Sequence, residues 1–435
     1  MNRMERELVE ALGRPAVSSD PASRAVAAAG TQPAALLALK RGQLPPLPAL
    51  VARPGDAAGV AAALAIAARA GVPVRIAGQG AGAALAGALA LDLTRLDGLE
   101  LDLTASVAAV GAGRGLARLE TALHRLDRSL GCLPDLSPTS TVGALTAGGA
   151  WPEVALWGRP QPVQRLEAAL PDGSLAVLPP ALWPAPGGAG FALITRVWVA
   201  VAPPPEHHAT AALAFPHGEA ALAAVHRLWE RRVAPDWLRL FDAPATEHSF
   251  DTTAPAGHWL LLLGSAGAAR PAQVRLGQAV AEALPGGSEL GEAAVRRFRQ
   301  GATAPAALLH LLHQPGGWMG WVRLEAAWGA LSEGWLAVRR VLRERCPVVL
   351  GTLARADAGG GRLLLRFAGR AATEAAAAEA LADATVAALA AAQAAGGRAW
   401  APGEPAPPEA GQAAVWRRIA AALDPAGVLR GGRQP

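Results

Sequence analysis

Two glycine-rich stretches carry the chemistry that this sequence offers. In the first, an apolar run from Val72 to Ala77 leads into Gly78-Gln79-Gly80-Ala81-Gly82, and a second apolar run, Ala88 to Leu93, comes shortly after. Alternate glycines remove side chains where a backbone must turn sharply or approach a ligand. Consecutive bare amides form a concave donor surface suited to a phosphate or diphosphate. The second stretch, Pro134 to Ala150, holds the hydroxyls of Thr139, Ser140 and Thr141 ahead of Gly143-Ala144 and Ala147-Gly148-Gly149. Those hydroxyls can add hydrogen bonds to an anion, or can cap a helix starting near Val142. The spacing excludes the Rossmann fingerprint, because the third glycine of G-x-G-x-x-G falls on Ala83, and there is no Walker lysine. A plain glycine turn between two strands is the competing reading of the first loop.

Other reactive side chains are sparse. His310 and His313 share a helix face at i, i+3 without a third ligand nearby, so no metal site is read there. His207-His208 read as exposed linker. Neither loop contains histidine or cysteine, and Cys132, two residues before Pro134, is the nearest thiol. Trp151, Trp157 and Trp183 come after the second loop's glycines and can cover a ring system or pack a core.

The elements that would position these loops alternate in an α+β manner. Leu50 to Arg53 reads as a strand. Asp56 caps a helix from Ala57 to Ala70, with Gly71 just past its end. Val107 to Val110 is a strand before Gly111-Ala112-Gly113, and Leu116 to Leu126 a helix. Pro171-Asp172-Gly173 marks a hairpin between Val163–Ala169 and Leu175–Leu178. Ala22 to Leu47 reads as a linker ending in Pro45-Pro46-Leu47-Pro48. Pro203-Pro204-Pro205 is the clearest domain boundary. Beyond it, strands and helices alternate again, with a long amphipathic helix from Leu324 to Leu342. Val348–Leu353 and Arg362–Phe367 read as a hairpin across Asp357 to Gly361, and Ala371–Ala395 as an alanine-rich helix. The pattern divides the 435 residues into 1–45 (helical segment and linker), 46–203, 204–411 and 412–435 (helix and tail).

Composition narrows the function classes. The chain is 52% hydrophobic and 17% charged, enough to bury large cores. Its net charge of +5 comes from scattered arginines rather than a basic run interleaved with aromatics, which argues against a nucleic-acid surface. Two distant cysteines form neither a metal pair nor a disulfide framework, as expected of a reducing cytoplasm. The N-terminal stretch is charged and helical in period rather than a signal peptide, and no apolar run reads as a membrane span. The chain contains no tyrosine.

In order and spacing, residues 50–200 resemble the PCMH-type FAD-binding domain of the vanillyl-alcohol oxidase superfamily. The resemblance rests on Val51-Ala-Arg-Pro-Gly-Asp56 before a helix, Val74-Arg-Ile-Ala-Gly-Gln-Gly-Ala-Gly82, Val110-Gly-Ala-Gly113 and Leu133-Pro-Asp through Gly149. It continues in Leu166-Glu-Ala-Ala-Leu-Pro-Asp-Gly173 and Gly187 through Val197. It implies two α+β subdomains binding FAD. The implied contacts are Ala77, Gly78, Gln79, Gly80, Ala81, Gly82, Pro134, Thr139, Ser140, Thr141, Gly143, Ala144, Ala147, Gly148, Gly149 and Ile194. The second half resembles the substrate or cap domain of the alkyldihydroxyacetonephosphate synthase branch: an α+β, ferredoxin-like sheet with helices. Leu238-Arg-Leu-Phe-Asp242, Arg323 through Leu331, the 350–367 hairpin and Leu423-Asp-Pro-Ala-Gly-Val-Leu429 carry that likeness.

The resemblance implies an FAD-linked oxidoreductase with a non-covalent flavin between two domains. Its substrate would be a small anion, a hydroxy acid or a glycerol-phosphate-like compound, gripped by Arg239 and Arg355. A homodimer stays open, and nucleic acid is not an expected partner. Arg239 can instead form an ordinary pair with Asp242. The family's motif histidines and tyrosine fall here on Thr352, Arg355 and Asp357, and its catalytic tyrosine has no counterpart. Those side chains supply proton transfer in relatives. The alternative reading is therefore a pseudoenzyme or partner subunit that retains the fold.

Overall fold

The computed structural model describes all residues except 1–2, 30–31, 45, 78–85, 132–139, 149–150, 152–162, 181–190, 234, 251–252, 301–304, 358, 402–409 and 430–435. Three sheets organise them. The first contains β1 (Val17–Ser18), β2 (Leu50–Ala52), β3 (Val74–Ala77) and β4 (Leu89–Asp92), in the order β1-β2-β4-β3. β2, β4 and β3 run parallel, and β1 is antiparallel to β2. Around them lie α1 (Arg3–Leu12), α2 (Pro21–Ala28), α3 (Pro33–Lys40) and α4 (Ala57–Ala70). The α4 boundaries are those the sequence predicts. Asp56 Oδ1 accepts from Gly59 N at 2.7 Å, and Gly71 leaves the helix at φ 62°. Val60, Ala63, Leu64 and Ala67 then face Leu89 and Leu91 in one core.

The second sheet is antiparallel. Its strands are β5 (Leu99–Asp102), β6 (Val107–Gly111), β7 (Val163–Ala169), β8 (Leu175–Leu178) and β9 (Leu193–Ala200), ordered β5-β6-β9-β7-β8. It carries α5 (Leu116–His124) and α6 (Val142–Ala147). The β7–β8 hairpin turns where expected, with Gly173 at φ 87° and Asp172 Oδ1 accepting from Ser174 N at 2.8 Å.

The third sheet has eight antiparallel strands. These are β10 (His207–Phe215), β11 (Trp237–Phe241), β12 (Trp259–Gly267), β13 (Ser288–Leu290), β14 (Gly317–Ala327), β15 (Val348–Asp357), β16 (Gly360–Arg370) and β17 (Arg398–Trp400). Their order is β13-β10-β12-β11-β15-β16-β14-β17. The connecting helices are α7 (Gly218–Glu230), α8 (Ala243–Phe250), α9 (Ala269–Ala283), α10 (Ala293–Arg299), α11 (Pro305–Leu312), α12 (Trp328–Arg343) and α13 (Glu374–Ala394). One sheet face meets α7, α9, α12 and α13 through residues such as Leu240, Leu261, Val322 and Leu365. The opposite face meets α8, α10 and α11 through Phe241, Leu260, Leu262 and Phe298. α13 is long and apolar enough to cross a bilayer, yet its row of Ala377, Leu381, Ala384 and Ala388 is buried in the first of these cores.

Three expectations need correction. Leu324 to Ala327 is strand, because β14 bonds β16 on one side and β17 on the other; the helix begins at Trp328. Two ladders of hydrogen bonds outweigh a local helical period. His207 and His208 open β10, paired with Gly267 and Ala266, and are not linker. The 22–47 stretch contains α2 and α3. Leu37 of α3 is fully buried in the core of the third sheet, and Lys40 Nζ lies 3.0 Å from Glu374 Oε2 and donates to Gln314 O at 2.8 Å.

The chain's last helix, α14 (Ala410–Leu423), returns to the second sheet. Trp416 stacks on Phe191 with centroids 6.2 Å apart. The fully buried Asp424 accepts from Val428 N at 2.8 Å and Leu429 N at 2.9 Å, and Val428 O accepts from Val74 N at 2.8 Å.

Candidate functional site

The three parallel strands of the first sheet end on one edge, at Ala52, Asp92 and Ala77. The carboxyl edge of such strands is where open α/β sheets receive ligands. Arg53 Nε sits 3.3 Å from Asp92 Oδ2, and Asp92 Oδ1 accepts from Thr94 N at 3.0 Å and from Thr94 Oγ1 at 2.6 Å. Ala77 is 7% exposed and leads into the first glycine loop. Gly78, Gln79, Gly80, Ala81 and Gly82 lie outside the described residues, as does the expected meeting of the two loops. Two residues before Ala77, Arg75 is 9% exposed, and its Nε and Nη1 have no hydrogen-bond partner among the described residues. Burial pushes its guanidinium pKa down.

Of the second loop, Pro134, Thr139 and Gly149 lie outside the described residues, and so does Cys132. From Ser140 to Gly148 the chain is tightly held. Ser140 O accepts from Leu116 N at 2.9 Å, and Thr141 caps α6, its Oγ1 accepting from Ala144 N at 3.3 Å. Val142 N donates to Arg114 O at 2.9 Å and Gly143 N to Ala112 O at 2.8 Å. A Cβ on Gly143 would stand 2.8 Å from Ala112 Cβ, and one on Gly113 only 1.9 Å from Leu93 O. The Gly111-Ala-Gly113 step is thus wedged between the segment after β4 and α6, and only glycine permits that approach. Val142 and Leu145 point into the core, while Ala144, Ala147 and Gly148 are exposed. Ile194 is 5% exposed on β9. Trp151 packs against this core and donates to Thr146 Oγ1 at 3.0 Å.

On the eight-stranded sheet, cross-strand register groups cations that are scattered in sequence. Arg355 lies opposite Arg362, Arg362 opposite Glu325, and Glu325 opposite Arg398. One row therefore crosses β15, β16, β14 and β17. A neighbouring row runs Thr352, Leu364, Arg323, Trp400, and Arg366 stands opposite Trp321. Directly opposed residues share a face, and this is the face opposite α12 and α13. Glu325 is the carboxylate of the rows. Arg362 Nε donates to its Oε1 at 2.6 Å and Arg398 Nη2 to its Oε2 at 2.7 Å. Arg323 lies over the Trp321 ring at 4.7 Å, its pKa lowered to about 10 by burial, then by repulsion from Arg362 and Arg366. Arg355 also faces Asp357 at 3.6 Å. Arg239, on β11 beside β15, is 3% exposed, and its Nη1 donates to Leu238 O at 2.8 Å. Arg239, Arg355 and Arg398 thus lie on one sheet surface.

Asp242 departs from expectation. It is fully buried and approaches Arg339 Nε at 3.9 Å rather than pairing with Arg239. Its Oδ1 accepts from Ala245 N at 2.9 Å, while its Oδ2 has no hydrogen bond among the described residues. Burial pushes its pKa up to about 6, against two backbone N–H bonds and the charges of Arg339 and Arg343. A cavity of about 450 Å³ lies nearby on the α7 and α12 side, lined by His217, Glu219, Trp259, Trp335 and Arg339 among others. It is on the opposite side of the sheet from the arginine rows. His310 and His313 sit ring to ring at 6.4 Å at the end of α11.

Sequence reasoning missed Arg75, Arg323, Arg362 and Arg366. A signal was present: Arg323-x-Glu325 and Arg362-x-x-x-Arg366 keep the even spacing that puts residues on one strand face.

The comparisons agree with this architecture. The family profile described as "FAD binding domain" matches residues 48–178, and that described as "FAD linked oxidases, C-terminal domain" matches 204–401. No curated protein matches the sequence. Among solved structures, two crystal forms of alkyldihydroxyacetonephosphate synthase superpose with TM-scores of 0.73 and 0.77 at 16% and 17% identity. They cover 98% and 100% of this chain and 84% and 86% of theirs. An isoeugenol complex of 4-ethylphenol oxidase from Gulosibacter chungangensis gives 0.72 at 16% identity, covering 99% of this chain and 97% of that one. Two consecutive family domains, on the sheets that such domains require, make this chain a member of the PCMH-type, FAD-linked oxidases, with FAD as its cofactor.

Proposed function

We propose that the chain is an FAD-dependent oxidoreductase holding its flavin non-covalently between the two domains and acting on a small anionic substrate, a hydroxy acid or a glycerol-phosphate-like compound. The observation that carries the reading is the arginine-rich face of the eight-stranded sheet. Guanidinium groups keep their charge and grip carboxylate or phosphate through paired hydrogen bonds. Glu325 fixes Arg362 and Arg398 in place. Arg239, held under the sheet's second helical layer, is the fixed cation of the set.

On the flavin side, Ala77, Ser140, Thr141, Gly143, Ala144, Ala147, Gly148 and Ile194 would hold the cofactor with Gly78 to Gly82, Pro134, Thr139 and Gly149. When bound, FAD supplies the two-electron chemistry. The absence of histidine and cysteine from both loops supports non-covalent attachment, and the buried Cys346 thiol is pushed up to about 11 by burial. The residues in hand orient and neutralise an anion. Thr352, Arg355 and Asp357 replace the relatives' proton carriers, and no histidine occurs from Gly317 to Ala401. That absence supports a second reading, a flavin-binding partner without turnover.

Anaerobic mixing of the purified flavoprotein with 2-hydroxy acids and glycerol-phosphate ethers separates the two. Bleaching of the flavin by one anionic class, slowed at least tenfold in Arg239→Ala, supports the oxidoreductase. Bleaching indifferent to Arg239 removes the anion site, and no bleaching by any compound leaves the partner reading.

A further inference from the structure

Arg75 is a buried cation without a counterpart among the described residues. It lies on β3, the outer strand of the first sheet, in register with Ala90. Strand alternation puts it on the same face as Ala77, and that face is lined by Ala27, Val51, Ala77 and Ala90, none with a side-chain acceptor. Asp92, opposite Ala77 on that face, is engaged by Arg53 and Thr94. Two of the three guanidinium nitrogens, Nε and Nη1, are sealed from solvent with no hydrogen bond among the described residues. Leaving a buried charge uncompensated costs several kcal/mol, so the acceptors Arg75 requires lie beyond the described residues.

The ligand has to be anionic and has to reach the carboxyl end of β3. Ala77 is about 7 Å along the strand from Arg75, and long side chains on strands lean along the strand. An arginine side chain is long enough to span that distance to the strand's end, where the first glycine loop departs. That loop has Ala81 and Gly82 where relatives place hydroxyl residues, and none of its side chains carries a charge.

We propose that Arg75 is a fixed counter-charge for the diphosphate of FAD, supplying from the sheet the charge that the loop's side chains lack. The inference rests on the FAD assignment and adds a residue to it. It predicts opposite effects on the empty and the loaded protein. Without ligand, Arg75 is a liability, and replacing it with an apolar side chain of similar length stabilises the fold. With ligand, the same replacement removes a charge-assisted contact, which costs affinity about ten- to hundredfold.

The test uses the full chain, stripped of flavin, as wild type, Arg75→Met and Arg75→Lys. FAD affinity is read by flavin fluorescence quenching, ADP and adenosine affinity by calorimetry, and melting temperature with and without FAD. The expected result is a higher melting temperature for flavin-free Arg75→Met, with weaker FAD binding and partial recovery in Arg75→Lys. The preference of wild type for ADP over adenosine should shrink in Arg75→Met. Binding of FAD by Arg75→Met within twofold of wild type overturns the proposal. So does weaker FAD binding with an unchanged ratio of ADP to adenosine affinity, which marks a structural role alone. A wild-type chain that binds neither FAD nor ADP removes the FAD assignment together with the proposal; binding of ADP without FAD would confine the failure to the flavin half of the site.

Discussion

Asp242 gives the sharpest quantitative expectation. Its carboxyl stands at about 6 in the folded protein against an ordinary 3.8, because burial outweighs its two backbone hydrogen bonds and Arg339. A raised carboxyl pKa means that the folded state binds the proton more tightly than the unfolded chain. The associated stability is complete below the ordinary pKa and is lost as pH rises through the folded one. Between those values stability falls by about 1.4 kcal/mol per pH unit. Integrated from pH 4.5 to 7.5 for this group, the loss is about 2 kcal/mol. Asp242→Asn keeps an oxygen to accept from Ala245 N and removes the titration. Any fixed cost of the amide is the same at every pH. Urea denaturation of both proteins at half-unit steps from pH 4.5 to 7.5 isolates the effect, since all other groups cancel in the difference. The stability difference, wild type minus variant, should decline by about 2 kcal/mol over that range and level off above pH 7. A difference constant within about 0.5 kcal/mol would refute the claim that this carboxylate is held at an energetic cost.

Three further expectations concern other parts of the molecule. Gly113→Ala drives a Cβ to 1.9 Å from Leu93 O, so the α6 support of the second loop must shift. Stability should fall by about 2 kcal/mol with a loss of bound flavin, and an unchanged melting temperature would contradict the packing described. Glu325→Gln removes the carboxylate shared by Arg362 and Arg398. Inhibition by phosphate should strengthen about threefold, a shift of ~0.7 kcal/mol; weaker inhibition would show that Glu325 matters for position rather than charge. Glu374 is held below its ordinary pKa by Gly316 N–H and then by Lys40. Its contribution exists above pH 4.5 and disappears on acidification. Lys40→Met should therefore lower the melting temperature at pH 7, and the gap between the two proteins should narrow on acidification below pH 4.5 as Glu374 becomes protonated.

Local signals in the sequence translated directly into structure. Asp56 and Gly71 bracket α4 as capping chemistry requires, and Pro171-Asp172-Gly173 closes the β7–β8 hairpin. The family resemblance, carried by short motifs in order, led to the correct fold because those motifs are turns and caps. The features that stayed hidden depend on pairing between distant residues. Leu324 to Ala327 looks helical until β16 and β17 flank it. The arginine rows exist only once register sets Arg355, Arg362, Glu325 and Arg398 side by side. Arg75 looks like any charged residue on a short edge strand, and its isolation is a property of neighbours that contribute no acceptor. Leu37 and Lys40 sit in a stretch rich in alanine and proline, yet they anchor to a core formed hundreds of residues later.

The bond from Val74 N to Val428 O has a consequence for how the protein is made. A ribosome delivers the strand before the first glycine loop about 350 residues ahead of its partner, and domains otherwise fold as they emerge. Here the outer edge of β3 gains its bond at Val74 only once Asp424 has turned the chain and placed Val428 beside it. That edge of the first sheet therefore closes through a contact of very long sequence separation, which is slow to form compared with the local contacts of β2, β3 and β4. A nascent or prematurely stopped polypeptide would carry both glycine stretches and still lack the final hydrogen bond along β3.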